Sequence, residues 1–377
     1  MIELIKFELK KIFSNKLIFI VMALFAALML YYVYDDYHDI KESFGSKQEL
    51  ISIAEKYKNS SYSPKELSKM RTAIEAKYIK NEQLSKDEQF LLKYYGLINI
   101  TDGIKKTEID RNIYTYDEIQ KHIDELKGSG KENTYQYKNF LKAHDMLSKL
   151  DNPHNVYKGN WDKLFDGVTG TIKIVLLVLG VASIYSKEYK TRVSYLNLST
   201  KKGRSTLNTA KVIASLIYTV IVFTFVTIMY RIRALAPGLA NGSTAMNSFS
   251  GESIFNISIN QYYVLSLCMS LLGMICFTLL IILLSLVSKN ILISFGLPLG
   301  LYILPEALNL PKYIVNYTLN INFTQLLKGA KVFRGYLSFN IFGNAVIYPY
   351  VIITFAVVSI VIMTVLCHIF NKRQVIA

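Results

Sequence analysis

Acidic residues are scarce over most of this chain of 377 residues. From Asp35 to Leu164 it has 22 Asp/Glu against 22 Lys/Arg, but the remainder holds only six acidic residues against 21 basic ones, which is the whole formal net charge of +15. A basic surplus ordinarily raises nucleic-acid binding. Here it lies beside long apolar runs, where it sets the orientation of a chain in a membrane, so no nucleic-acid partner is expected. Cysteine is also sparse. Cys268, Cys276 and Cys367 all sit in apolar runs, which rules out a disulfide framework or a Cys-based zinc site and leaves three small hydrophobes. A GxxxxGK[ST] phosphate loop is missing. The stretch Gly128-Ser129-Gly130-Lys131 lacks both the earlier glycine and the Ser/Thr after the lysine. Four of the five histidines, His38, His122, His144 and His154, fall in 35–164, and the last two are too far apart to share one helical face for a metal. His368 stands in an apolar run with no evident partner. The chain is therefore not expected to be an enzyme, nor to carry a cofactor or metal.

What is present is apolar length. The chain is 51% hydrophobic, and a helix needs about 20 apolar residues to cross a bilayer. Runs of that kind lie at 17–34, 167–186, 209–230, 262–287, 291–308 and 346–370. They predict an all-α integral membrane protein of about six spans. The fifth run contains Pro298 and Pro305, which break it, and a Gly296–Gly300 spacing that suits close helix contact. The run after Lys16 is too long for a signal-peptide core and ends in Tyr31, Tyr32 and Tyr34, so an uncleaved anchor is expected. Ahead of it, Ile2, Ile5, Leu9, Ile12 and Phe13 form one stripe, with Glu3, Lys6, Lys10 and Lys11 opposite. That pattern predicts an amphipathic helix in the membrane interface, its basic face suited to anionic membrane lipid.

Lysine and arginine density places the N-terminus, the 187–206 segment, Lys289 and the tail on one side, the cytoplasm of a bacterial cell membrane. Arg231, Arg233, Lys312, Lys328, Lys331 and Arg334 fall on the other side and oppose the rule. Three divisions follow: an interfacial helix and first span at 1–34, a helical extracellular domain at 35–164, and spans two to six at 165–377. Capping boxes at Ser63–Glu66, Ser85–Glu88 and Thr115–Glu118 mark helix starts in the extracellular domain. Its apolar positions include Leu67, Met70, Ile74, Tyr78, Phe90, Leu91, Ile119, Ile123, Leu126, Phe140, Leu141, Met146 and Leu147. The stretch 309–345 is only moderately polar; short helices dipping into the outer leaflet and an ordinary external loop both fit it. Lys173 and Glu306 are charges within spans. They are candidates for a substrate path, against the plainer reading that they snorkel to an interface.

The segment 187–211 is the most informative. It runs from Lys187-Glu188-Tyr189-Lys190-Thr191-Arg192 through Lys201-Lys202-Gly203-Arg204 to Lys211, a short basic link between two spans. With Glu188, Leu196, Leu198, Arg204 and Lys211 at their spacing, the basic N-terminal helix and six spans, the chain resembles the type-2 ABC transporter permeases. It departs from them at Arg192-Val193, where the family has Gly-Thr, and near Lys201, where the family has Pro. The resemblance implies that 188–204 is a coupling helix, with Glu188, Arg192, Leu196, Leu198, Arg204 and Lys211 engaging a separate ATP-binding-cassette subunit that holds the ATP. It also implies a second permease chain, identical or homologous, and an exporter's task of moving an amphipathic or hydrophobic compound such as a peptide, antibiotic or lipid. A receptor or scaffold, or a four-span permease that transmits force from its outer domain, is the alternative.

Overall fold

The computed structural model describes residues 1–58, 64–94, 106–109, 112–150, 160–193, 201–235, 242–243, 245–246, 253–307, 321–333 and 335–373. The chain is a mostly helical membrane protein. Among the described residues five helices are long and apolar enough to cross a membrane: Lys16–Phe44, Trp161–Lys190, Thr206–Ala234, Ile259–Ser288 and Tyr348–Asn371. A sixth apolar stretch, Ile291–Leu304, is shorter.

Helix α1 (Ile2–Phe13) leads into α2 (Lys16–Phe44) through Asn15, whose side chain accepts from Leu17 N and donates to Leu179 O at 3.1 Å. The cap therefore starts one helix and ties it to another. The first span does not stop at Tyr34 as its apolar run suggests. The helix continues to Phe44, because Ile40 and Phe44 find a second core with Leu50, Ala54, Tyr57, Ile74, Phe90 and Leu91. That core joins α2 to α3 (Lys47–Lys58), α4 (Pro64–Ile79) and α5 (Lys86–Tyr94).

The rest of the polar insertion packs elsewhere. A short antiparallel hairpin, β1 (Lys106–Ile109) and β2 (Asn112–Thr115), precedes α6 (Tyr116–Gly128) and α7 (Tyr135–Ser148). The boxes at Ser85–Glu88 and Thr115–Glu118 both form with reciprocal bonds; Ser63 lies outside the described residues. Ile119, Ile123, Phe140 and Leu147 are buried as their spacing predicts, whereas Tyr78 and Leu141 are exposed. This core is completed by Ile254 and Tyr336 from far along the chain.

The second apolar stretch is broken twice, into α8 (Trp161–Thr169), α9 (Ile172–Val181) and α10 (Ser183–Lys190). Breaks in an apolar bundle leave backbone groups that neighbours must satisfy. At the first break Lys173 Nζ donates to Val168 O at 2.6 Å and to Ser270 Oγ at 2.9 Å. At the second, Ser285 Oγ donates to Ala182 O at 2.8 Å and accepts from the amides of Tyr185 and Ser186. Helix α11 (Lys201–Leu235) and the central α12 (Ile259–Ser288) follow. Tyr218 of α11 is fully buried, its hydroxyl on Leu176 O at 2.7 Å and its ring against Gly180. Helix α13 (Ile291–Ala307) runs unbroken past Pro298. The ring of a mid-helix proline removes one bond and can kink a helix without ending it.

A short helix α14 (Phe323–Leu327) and a 3₁₀ turn (Gly329–Phe333) then lie against the middle of α12. Ser270 Oγ donates to Leu327 O at 2.9 Å, and Thr324 Oγ1 donates to Tyr302 O of α13 at 3.2 Å. Residues 308–320 lie outside the described residues. Strands β3 (Ser338–Ile341) and β4 (Asn344–Ile347) form a second hairpin before α15 (Tyr348–Arg373). Among the described residues the two hairpins, with an isolated bridge between Ala245 and Ser258, depart from an all-helical description.

The insertion is bonded to the bundle through that second hairpin. Buried Asn139 of α7 accepts on Oδ1 from Tyr336 Oη and from Ser338 Oγ, both at 2.6 Å. Asn139→Leu removes the side-chain acceptor the two hydroxyls share, while Tyr336 keeps the Asn139 carbonyl and Ser338 keeps Tyr135, so the cost is that of the lost bonds, about 0.5–1.5 kcal/mol each. Hydrogen exchange is expected to quicken in α6 and α7 while α12 is unchanged. Unaltered protection in α7 would show that the contact carries no coupling.

Candidate functional site

Six acidic residues lie outside 35–164, and two of them, Glu8 and Glu188, meet at the base of α11. Glu8 and Lys11 are three apart on α1, so they share one face. Glu188 closes α10, and Lys211 stands ten residues into α11. Lys211 Nζ lies 2.5 Å from Glu188 and 3.4 Å from Glu8, and it also donates to Ile184 O at 3.4 Å. Lys11 pairs with Glu188 and lies 3.7 Å from Glu8. The Tyr185 ring covers the Lys211 ammonium at 5.2 Å.

Glu8 and Lys211 are each 1% exposed and Glu188 is 7% exposed. Charges this deep persist only when paired. Two carboxylates against two ammoniums make a neutral knot, and its members come from α1, α10 and α11. Burial disfavours the Lys11 charge, yet the bond to Glu188 and the charges of Glu188 and Glu8 outweigh it and hold that ammonium above the ordinary lysine value. The arrangement is suited to locking three helix ends into one body.

A second cluster marks the far end of the same helix. Asp36 of α2 takes Lys163 at 2.8 Å and Arg233 at 3.3 Å, and the Arg233 guanidinium lies 4.5 Å from the centre of the Tyr32 ring. At 1.5 Å per residue, Lys211 and Arg233 are about 33 Å apart along α11, close to the thickness of a hydrocarbon core. Arg233, which opposes the orientation rule when counted as a bare charge, is thus neutralised; Arg231 remains exposed.

The residues singled out by sequence divide as follows. Glu188 and Lys211 come together inside the fold, each buried and paired with the other. Arg192 is exposed just past α10 with φ +58°. It takes the left-handed conformation that usually belongs to glycine after a helix. Leu196 and Leu198 lie outside the described residues, as do the side chains of Arg204 and Glu306. Lys173 is 2% exposed, its ammonium held by Val168 O and Ser270 Oγ. It closes the break between α8 and α9. Among the described residues no three His, Cys, Asp or Glu side chains converge to hold a metal.

Glu8 was missed by the sequence reading. Its signal is an acidic residue within the apolar stripe of α1, between Ile5, Leu9 and Ile12, in a region where acids are rare. Asp36 was missed because it reads as the first residues of a polar domain.

Beside the knot a cleft of about 360 Å³ is lined by α1, including Glu8 of the knot, by the first residue of α2, and by α9, α10 and α13. Lys11, Lys16 and Lys187 line it, with Ile12 and Phe295 as apolar walls. No protein-family model matches the chain, and no curated protein sequence matches it.

Proposed function

We propose that the chain is the membrane-spanning permease subunit of an ATP-driven exporter in a bacterial cell membrane. It exports an amphipathic or hydrophobic compound and draws on ATP held by a separate ATP-binding-cassette subunit. In this reading it crosses the membrane six times, with Ile291–Leu304 as the short fifth span, α1 in the interface and both termini in the cytoplasm. The insertion 35–164 stands outside as its own domain, although its two cores also use α2, Ile254 and Tyr336.

The observation that carries the proposal is the buried knot of Glu8, Lys11, Glu188 and Lys211. A coupling segment must pass force to the spans it joins without yielding at its roots. Here the residues flanking 191–200 are bound to each other and to α1, so a push on that segment would move α1, α10 and α11 together. Arg192 adds support: it occupies the position where the resembling family has glycine, in the backbone conformation glycine favours. On the lateral face, a Cβ at Gly296 or Gly300 would meet nothing within 4 Å. That leaves a small-residue face for a second permease chain.

One observation favours the alternative of a sensing or force-transmitting protein. The Asn139 network links the insertion to the hairpin at the root of α15, a route for an external ligand to reach a span. Against it, five helical stretches among the described residues are long and apolar enough to cross a membrane, one more than the mechanical class has.

The test is a photo-crosslinker at Arg192 in the intact chain within cells. The expected product is an adduct with a protein containing a Walker A motif, whose ATP turnover in the purified complex changes when Arg192 is replaced by Glu. An Arg192 crosslinker reached by membrane-impermeant reagent from the medium, or an ATPase indifferent to Arg192→Glu, would remove the coupling role.

A further inference from the structure

The cleft beside the knot has no task in the coupling reading, and its charge is unbalanced. Glu8, Glu188, Lys11 and Lys211 cancel among themselves. Lys16 and Lys187 do not: both are exposed, and neither has an ion pair among the described residues. Lys16 opens α2, a helix of 29 residues, so its ammonium stands beside the positive end of that helix dipole. The cleft thus concentrates positive charge around a concave space large enough for a phosphate headgroup.

Its surroundings say which kind of phosphate. Lys16 is the last charged residue before the apolar length of α2, which puts the cleft where apolar helix begins, the headgroup level of a bilayer. Leu17, Phe19 and Ile20, which follow Lys16 on α2, are more than half exposed, and Leu292, one turn before Phe295 on α13, is 81% exposed. A ligand held by Lys16 and Lys187 would have apolar side chains along both sides for its tails. The walls from Ile12 and Phe295 suit glycerol and the first methylenes, and would give a free inorganic anion nothing.

We infer that this cleft is a binding site for the headgroup of an anionic phospholipid, gripped by Lys16 and Lys187, with its acyl chains lying along α2 and α13. The lipid bridges two helices that both pack on α9, and so steadies the wall next to the knot.

The test uses the full chain purified in detergent and titrated with phosphatidylglycerol or phosphatidylcholine, bound lipid being counted by native mass spectrometry. Lys16→Gln with Lys187→Gln should lower phosphatidylglycerol affinity by roughly ten- to thirty-fold, as losing two lysine contacts to an anionic headgroup implies. Phosphatidylcholine binding should be weak in both proteins. The control is Lys190→Gln with Lys289→Gln, exposed lysines outside the cleft, which should bind phosphatidylglycerol as the parent does. An equal loss in the control would reduce the effect to general attraction at a basic surface and overturn the site. Displacement of the lipid by millimolar inorganic phosphate would overturn it in favour of a soluble anion. Equal affinity for phosphatidylcholine would overturn the assignment of charge recognition. Both sites are exposed, and an unchanged circular dichroism spectrum and elution profile confirm that each variant folds.

Discussion

Lys211→Met is expected to be among the most damaging single substitutions in this chain, and Lys211→Met with Glu188→Gln distinctly less so. The single change leaves Glu8 and Glu188 facing only Lys11, whose side chain is 30% exposed and pairs with Glu188 from the rim. An uncompensated buried charge costs about 3–5 kcal/mol. The second substitution restores the balance of one carboxylate to one ammonium and keeps the volume. In a thermal melt of the detergent-purified chain, the single variant should lose on the order of 5–10 °C, and the double variant should recover a large part of it. Residues in one ion network couple by about 0.5–3 kcal/mol, so the two changes should be clearly non-additive. Strict additivity would mean that the four groups do not act as a knot. The exporter reading would then lose its mechanical basis, since the roots of 191–200 would no longer be held together. Glu8→Gln, suppressing the Lys211→Met defect in the same way, would extend the argument to α1.

The second large effect is expected at Gly273, in the middle of α12. A Cβ there would lie 2.7 Å from the backbone carbon of Leu326 and the amide nitrogen of Leu327. No rotamer change relieves a clash with backbone, so α14 has to move. Gly273→Val should displace the short helix and break the bonds from Ser270 to Leu327 and from Thr324 to Tyr302. Overpacking of this kind costs about 1–3 kcal/mol, and the lost hydrogen bonds add to it. The readout is maleimide reactivity of Leu326→Cys, placed at a position 0% exposed, with exposed Cys268 replaced by serine. Reactivity should be low in the parent background and rise by an order of magnitude with Gly273→Val. An unreactive Cys at 326 in the Gly273→Val chain would show that α14 is not seated by this contact.

Much of the architecture was legible in the residues alone because hydrophobic length is a local property. Each apolar run reports its own helical stretch: five of the expected six lie in helical stretches long and apolar enough to cross a membrane, though the first runs on to Phe44 and the second is broken twice. The capping boxes at Ser85 and Thr115 are local in the same sense: the groups they satisfy lie three residues away. The basic surplus in 187–211 likewise marked the neighbourhood of the candidate site.

Partnership across the chain was not legible, for a physical reason. A charge in a sequence carries no sign of whether it faces water or a counter-charge 203 residues away, as Lys211 does with Glu8. The resemblance gave Glu188 and Lys211 a part in coupling, and nothing in the residues alone said that packing would bury them and pair them with each other. Lys173 read as a possible conduit or a snorkelling cation, and became a clasp for a broken helix once Val168 and Ser270 were brought beside it. The end of α2 shifted from Tyr34 to Phe44 because Ile40 and Phe44 found a core built from residues further on. Local pattern tells where helices form. Which buried charges cancel, which breaks are closed and which cleft is left open depend on distant segments meeting, and burial is the energy that selects those meetings.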